Sequence, residues 1–220
     1  MNSPKYLILP SLFAADITDI GGEITKVIDA GADMIHLDVM DNHYVPNLTF
    51  GPIFCEKIIN KYPNISIDVH LMTTPVDDLI IQFAKAGATR ISIHPDATIH
   101  LERSLNLIKQ YNCQAGIGLN PTTTIECLQW CQHCIDFVLV MTVNPGFSGQ
   151  NLIPEIMPKI ALIKKHFPNL PISVDGGVSL TNIVALATSG ATQFVAGAAI
   201  FATQDYQKTI TKMRHILRTL

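Results

Sequence analysis

The sequence predicts a single-domain (β/α)8 barrel, the TIM-barrel architecture of the α/β class, and three observations carry that expectation. Eight short apolar segments alternate with amphipathic ones along the chain, as repeated strand–helix units do. One turn recurs: Gly31-Ala32-Asp33, Gly87-Ala88-Thr89 and Gly190-Ala191-Thr192 each stand where an amphipathic segment ends and an apolar one begins. Glycine fits the left-handed position just past a helix C-terminus. Finally, all eight apolar segments read as buried on both faces. A closed parallel sheet explains that, whereas an open doubly wound sheet would leave edge strands.

Taken in order, the strands are expected at residues 6–10, 34–38, 66–70, 90–94, 114–119, 137–141, 172–174 and 194–196. Between them, Ile20, Ile24, Val27 and Ile28 form one helical stripe, and Ile153, Ile156, Met157, Ile160 and Ile163 form another. The last helix carries Ile210, Met213, Ile216 and Leu217. These stripes are core faces. Proline and glycine are spread evenly, so residues 1–220 read as one domain with no linker. The longest connections after strands, 40–53 and 142–153, fall on the face where such barrels build active sites.

Composition agrees. The 220 residues are at the short end for this architecture, where about 250 is typical. Hydrophobic residues make up 48% and charged residues 15%, a balance for extensive burial and against disorder. A net charge of -3 without a Lys or Arg run excludes a basic surface for nucleic acid or an anionic membrane. No run approaches the ~20 apolar residues of a spanning helix. Lys5, the apolar stretch after it and Ala14-Ala15 imitate a secretory signal, but the stretch is needed as the first strand. Five cysteines, an odd count, read as reduced thiols in a cytoplasm. The spacing of Cys127, Cys131, His133 and Cys134 is poor for a closed zinc site, so helix thiols are expected there.

The strand ends gather polar groups. Seven residues past the three turn glycines stand Asp38, His94 and Gly197, in equivalent places. His36 and Asp38 are two apart and share a face, as do Asp68 and His70, while Asp175 follows the seventh strand. Singly, each has an ordinary explanation: a strand-end histidine is more often hydrogen-bonded packing, and Asp68 reads as a structural partner for a neighbouring histidine. Converging on one barrel mouth, two imidazoles and two carboxylates make a mixed N/O site for a divalent ion such as zinc, manganese, iron or cobalt. Glycine-rich loops form a second constellation: Val143-Asn144-Pro145-Gly146-Phe147-Ser148-Gly149, then Asp175-Gly176-Gly177, then Gly197-Ala198. Backbone amides there approach an anion closely, and phosphate sites after the last two strands recur in this architecture.

That chemistry suits inversion of a carbon beside a ketone. Its proton is weakly acidic, so removal needs a positioned base and stabilisation of an enediolate, which a divalent cation supplies as a Lewis acid. Inversion needs a second acid on the opposite face. Asp38 and Asp175 come from distant strands, and a carboxylate pair sharing one proton runs the reaction both ways.

At this point the chain resembles the ribulose-phosphate 3-epimerase family. The stretches that carry the resemblance are Leu9-Pro10-Ser11-Leu12, His36-Leu37-Asp38-Val39-Met40-Asp41, Val45-Pro46-Asn47-Leu48-Thr49-Phe50-Gly51-Pro52, Asp68-Val69-His70-Leu71-Met72, Gly118-Leu119-Asn120-Pro121, Val143-Asn144-Pro145-Gly146-Phe147, Val174-Asp175-Gly176-Gly177 and Val195-Ala196-Gly197. They span nearly the whole chain in the family's order. The resemblance implies a barrel with that family's phosphate site, and interconversion of D-ribulose 5-phosphate and D-xylulose 5-phosphate in the pentose phosphate pathway. It implies one divalent cation per subunit on His36, Asp38, His70 and Asp175, with Asp38 and Asp175 as the catalytic proton-transfer pair. Ser11 and His70 then contact substrate, and Met40, Met72 and Met141 line the pocket beside the reacting carbons. Gly146, Phe147, Ser148, Gly149, Gly176, Gly177, Gly197 and Ala198 form the phosphate cradle. A homo-oligomer and a ketose phosphate as the small-molecule partner follow in the same way.

Departures from the family pattern are Asn42 and Ser148 in place of Gly, Ala198 in place of Ser, and Asp96 in place of Glu. Ala198 keeps its backbone N–H but lacks a hydroxyl for phosphate. Three alternatives stay open. One is a hexulose-phosphate 3-epimerase acting on a substrate such as allulose 6-phosphate. Another is a barrel lyase or decarboxylase, although Lys26, Lys57, Lys85 and Lys109 fall on helices and no strand end carries a lysine. The last is a non-catalytic sugar-phosphate-binding barrel, against which both aspartates speak.

Overall fold

A computed structural model describes residues 6–220; Lys5 of the signal-like stretch lies outside them. The strands are β1 (Leu7–Pro10), β2 (Ile35–Met40), β3 (Ile67–Met72), β4 (Arg90–Ile93), β5 (Gln114–Leu119), β6 (Phe137–Met141), β7 (Ile172–Asp175) and β8 (Gln193–Ala196). All are paired in parallel, in the ring order β1-β8-β7-β6-β5-β4-β3-β2. The ring closes between β1 and β2. A parallel bridge joins Ser11 to His36 at the mouth. At the other end Asp33 takes the place of a ladder: its N–H donates to Ile8 O at 3.1 Å, and its carboxylate accepts from Ile8 N at 2.7 Å. Arg214 holds that carboxylate at 3.0 Å. The Gly-Ala-Asp turn therefore helps to seal the barrel as well as ending a helix.

Helices α1 (Ile20–Asp29), α2 (Pro52–Lys61), α3 (Asp77–Lys85), α4 (Leu101–Gln110), α5 (Glu126–Cys131), α6 (Met157–His166), α7 (Ile183–Thr188), α8 (Ala198–Phe201) and α9 (Tyr206–Arg218) cover the sheet. Ile24 and Val27 of α1, and Ile210, Met213 and Leu217 of α9, are buried in the layer between sheet and helices. The three turn glycines, Gly31, Gly87 and Gly190, all have positive φ, the left-handed geometry expected past a helix end.

Two boundaries differ instructively from the sequence expectation. β2 and β3 run on to Met40 and Met72, because the pair stays in register through Val39↔Leu71 and Met40↔Met72. Reading Asp38 and His70 as strand ends mistook polar side chains facing the barrel interior for the onset of a loop. The stripe from Ile153 to Ile163 is not one helix either. Pro154–Ile156 forms a 3-10 turn, and α6 begins only at Met157.

The barrel interior is apolar on one side, where Leu9, Phe137, Leu139, Met141 and Val195 pack together. Gly116 leaves room for the Phe137 ring: a Cβ there would lie 2.3 Å from its Cζ. Gly116→Ala is therefore expected to destabilise the fold by about 1–3 kcal/mol through overpacking. Urea unfolding checks this, and an unchanged midpoint would contradict the packing described.

Candidate active site

β2 and β3 pair with His36 opposite Asp68 and Asp38 opposite His70. Alternation turns all four side chains inward, and each is buried. β7 stands three places round the ring from β2 and brings Asp175 to the same point. His36 Nε2 lies 3.4 Å from Asp38 Oδ1 and 3.7 Å from Asp175 Oδ2. His70 Nδ1 lies 3.4 Å and 3.6 Å from the same two oxygens. No two of these four donor atoms are more than 4.8 Å apart, and the two ring nitrogens have no hydrogen-bond partner. Four N/O donors held tetrahedrally at about 2.1 Å from a centre stand about 3.4 Å from one another. The spacing, the unpartnered nitrogens and the mixed donor set fit a divalent transition ion.

Each donor is held from behind. Ser11 Oγ donates to the second oxygen of Asp38 at 2.5 Å. His36 Nδ1 meets Asp68 Oδ2 at 2.7 Å, and Asp68 is paired with buried Arg90. The two Nε2 atoms of His70 and His94 are 2.8 Å apart. Tyr44 covers His94 with ring centroids 5.1 Å apart, donates its hydroxyl proton to Asp96 at 2.8 Å, and accepts from Asn120 at 2.7 Å.

The two aspartates are driven in opposite directions. Burial works against ionised Asp38, but the His36 and His70 imidazoles beside it outweigh burial and hold its carboxyl well below the usual carboxylate range. Burial, then the negative charge of Asp38, raise Asp175 above its ordinary value. His36 is pushed down by burial and up by Asp38 and Asp68, with a large net rise. Burial and the neighbouring His70 push His94 well below its ordinary value, so it is neutral. One acid held ionised beside one that binds its proton more tightly than usual is an arrangement suited to proton exchange.

Above this floor opens a cavity of about 460 Å³, within the range for small-molecule sites. Ser11, Asp38, Met40, Met72, Met141 and Asp175 line its base, and Gly146, Phe147, Ser148, Gly149, Gly176, Gly177, Gly197 and Ala198 line its wall. His36 and His70 lie beneath the lining, fully buried. The structure brings His70 to the donor cluster directly beneath that lining. Ala198 and Ala199 open α8 and line the cavity, and the first amides of a helix lack an intrahelical acceptor. Gly177 has φ +64, and a Cβ on it would lie 2.5 Å from Leu152 N, so the loops after β6 and β7 meet without side chains between them. No lysine lines the cavity among the described residues.

Several contributors escaped the sequence reading. Asn182 staples the cradle loop, with Nδ2 donating to Gly177 O at 2.8 Å and Oδ1 accepting from Ser179 N at 2.9 Å. Its signal was polar capping chemistry just before α7. Asp41, quoted only as part of a motif, accepts from the backbone N–H groups of His43, Tyr44 and Thr74 and so shapes the loop after β2. Asn42 takes the left-handed φ of 59° that glycine supplies elsewhere. Arg90 begins β4 in phase with Ser92, a period-two relation that marks it as inward-facing. His133 and Cys134 come together with Glu102, Cys134 Sγ also donates to Cys131 O at 3.2 Å, and Cys55, Cys113, Cys131 and Cys134 are buried thiols.

Comparison with known proteins agrees with this geometry. A model described as the ribulose-phosphate 3 epimerase family matches residues 7–201. The chain is 48% identical to a ribulose-phosphate 3-epimerase of Buchnera aphidicola (subspecies Acyrthosiphon pisum) over 96% of its length and 94% of that protein. It is 45% identical to the ribulose-phosphate 3-epimerase of Escherichia coli K12, covering 96% of this chain and 95% of that one. Among solved structures it superposes on a 3-keto-L-gulonate-6-phosphate decarboxylase from Vibrio cholerae with a TM-score of 0.77. There the identity is 16%, covering 98% of this chain and 99% of the other, a likeness of fold alone.

Proposed function

The chain belongs to the ribulose-phosphate 3-epimerase family, and from that premise we propose that Asp38 and Asp175 exchange the proton on the carbon beside a ketose carbonyl, interconverting D-ribulose 5-phosphate and D-xylulose 5-phosphate. The observation that carries this reading is the convergence of both carboxylates, from β2 and β7, on the same two imidazole nitrogens at the base of one cavity.

The chain's residues divide the work. Asp38, kept ionised by its histidine neighbours, takes the proton from one face. Asp175, whose hold on a proton is raised, returns one to the other, and the roles swap for the reverse reaction. Ser11 fixes the orientation of Asp38. His36, Asp38, His70 and Asp175 would hold one divalent ion, of the zinc, iron, manganese or cobalt class. When bound it supplies Lewis-acid stabilisation of the charge that develops on the carbonyl oxygen. Met40, Met72 and Met141 shape a polarizable wall beside the reacting carbons. Gly177, Gly197 and Ala198 offer backbone N–H groups to the phosphate. The family reading extends to a homo-oligomer working in the cytoplasm on the pentose phosphate pathway. No helix among the described residues is long and apolar enough to cross a membrane.

Turnover of ribulose 5-phosphate in heavy water tests the proposal. Product is expected to carry deuterium on the carbon beside the ketone, because a carboxylate that releases the proton exchanges with solvent. Product free of label would point to hydride transfer, and a clear preference for a six-carbon ketose phosphate would redirect the substrate assignment.

A further inference from the structure

We infer that Asp68 and Arg90 are a positioning pair that presents His36 to the cation through Nε2, with Gln193 anchoring the pair from the opposite wall of the barrel. The inference deepens the cation reading above and rests on it.

Arg90 is a guanidinium buried inside a barrel, 1% exposed. Its Nε and Nη2 hold the two oxygens of Asp68 at 2.7 and 3.0 Å. Its Nη1 donates to Gln193 Oε1 at 2.5 Å, on the strand four places round the ring. The guanidinium also lies 4.2 Å from the centroid of the Phe137 ring, the ring for which Gly116 makes space. Three neighbours thus fix Arg90, and Arg90 fixes Asp68.

An ionised carboxylate only accepts hydrogen bonds. Asp68 Oδ2 lies 2.7 Å from His36 Nδ1, so that nitrogen carries a hydrogen and Nε2 is the one left to give a lone pair to the cation. Nε2 is the atom with no hydrogen-bond partner, aimed at Asp38 and Asp175. His70 is built the other way round: Nδ1 faces the carboxylates, and Nε2 is occupied by the neutral His94. Only His36 is backed by a charge, and a carboxylate behind an imidazole makes it a stronger ligand. Arg90 balances that charge, so the backing adds none to the site.

Zinc affinity, read by competition with a chromophoric chelator, tests this. Asp68→Asn is expected to weaken zinc binding about 10–100-fold. That variant also strands the Arg90 guanidinium, so the double variant Asp68→Asn with Arg90→Met is the control. It removes both charges and is expected to regain thermal stability without regaining zinc affinity. A folded double variant with wild-type affinity would reduce the pair to a structural role and overturn the inference. If neither variant folds, nitrogen-15 imidazole spectra of zinc-loaded wild-type protein decide: His36 protonated on Nδ1 and His70 on Nε2 is expected, and His36 protonated on Nε2 overturns it. Wild-type protein that binds no cation at all would instead sink the cation reading itself, and this inference with it.

Discussion

Asp175→Asn is expected to lower epimerisation by about 10²–10⁴-fold, the range for loss of a positioned acid–base group. The substitution keeps size and shape but leaves an amide that acts as neither acid nor base at neutral pH. Because Asp175 and Asp38 serve opposite faces, the loss acts in both reaction directions. The barrel should survive it. The strand end is held by its backbone carbonyl, which accepts from Thr142 N at 2.7 Å and Thr142 Oγ1 at 2.9 Å, and those bonds do not involve the carboxylate. Steady-state rates in both directions, with a melting curve, check the prediction. A variant that melts like wild type and turns over within tenfold of it would strip Asp175 of its proposed role.

Removing divalent cations is expected to cost a comparable factor, about 10³-fold, since Lewis-acid stabilisation of an enediolate is worth several kcal/mol. Dialysis against a strong chelator should abolish turnover, and zinc, manganese, cobalt or iron(II) should restore it at one equivalent per chain. The melting temperature should fall with the metal, because an ion that binds only the folded state stabilises it by mass action. Undiminished activity in protein shown by elemental analysis to be metal-free would contradict the cation reading. The surface trio of Glu102, His133 and Cys134 has two exposed members and gives no reason for activity to follow its occupancy.

Much of this architecture is legible in the sequence for a physical reason. Glycine at a helix end, period-two alternation and doubly buried strands are local signals, and the β/α alternation leaves few ways to arrange them. The pairs His36/Asp38 and Asp68/His70 reveal their shared faces by spacing alone. What spacing does not reveal is register. That β3 lies against β2 with Asp68 beside His36 decides which carboxylate joins the cluster and which stands behind it, and it follows from pairing across distant residues. Asp68, readable beforehand only as a partner for some histidine, becomes through register the partner of His36. His70 shows the same limit from the other side: its chemistry is plain in the sequence, but its depth beneath the cavity floor depends on His94 and Tyr44 packed behind it. The Arg90–Gln193 contact joins residues 103 positions apart and leaves no local trace.

The most direct test of the account is crystallography of cation-loaded protein, with anomalous scattering measured at the metal edge. One strong peak per chain is expected, about 2.0–2.3 Å from each of His36 Nε2, His70 Nδ1, Asp38 Oδ1 and Asp175 Oδ2. A peak elsewhere, or a peak that leaves Asp38 or Asp175 outside coordinating distance, would contradict it.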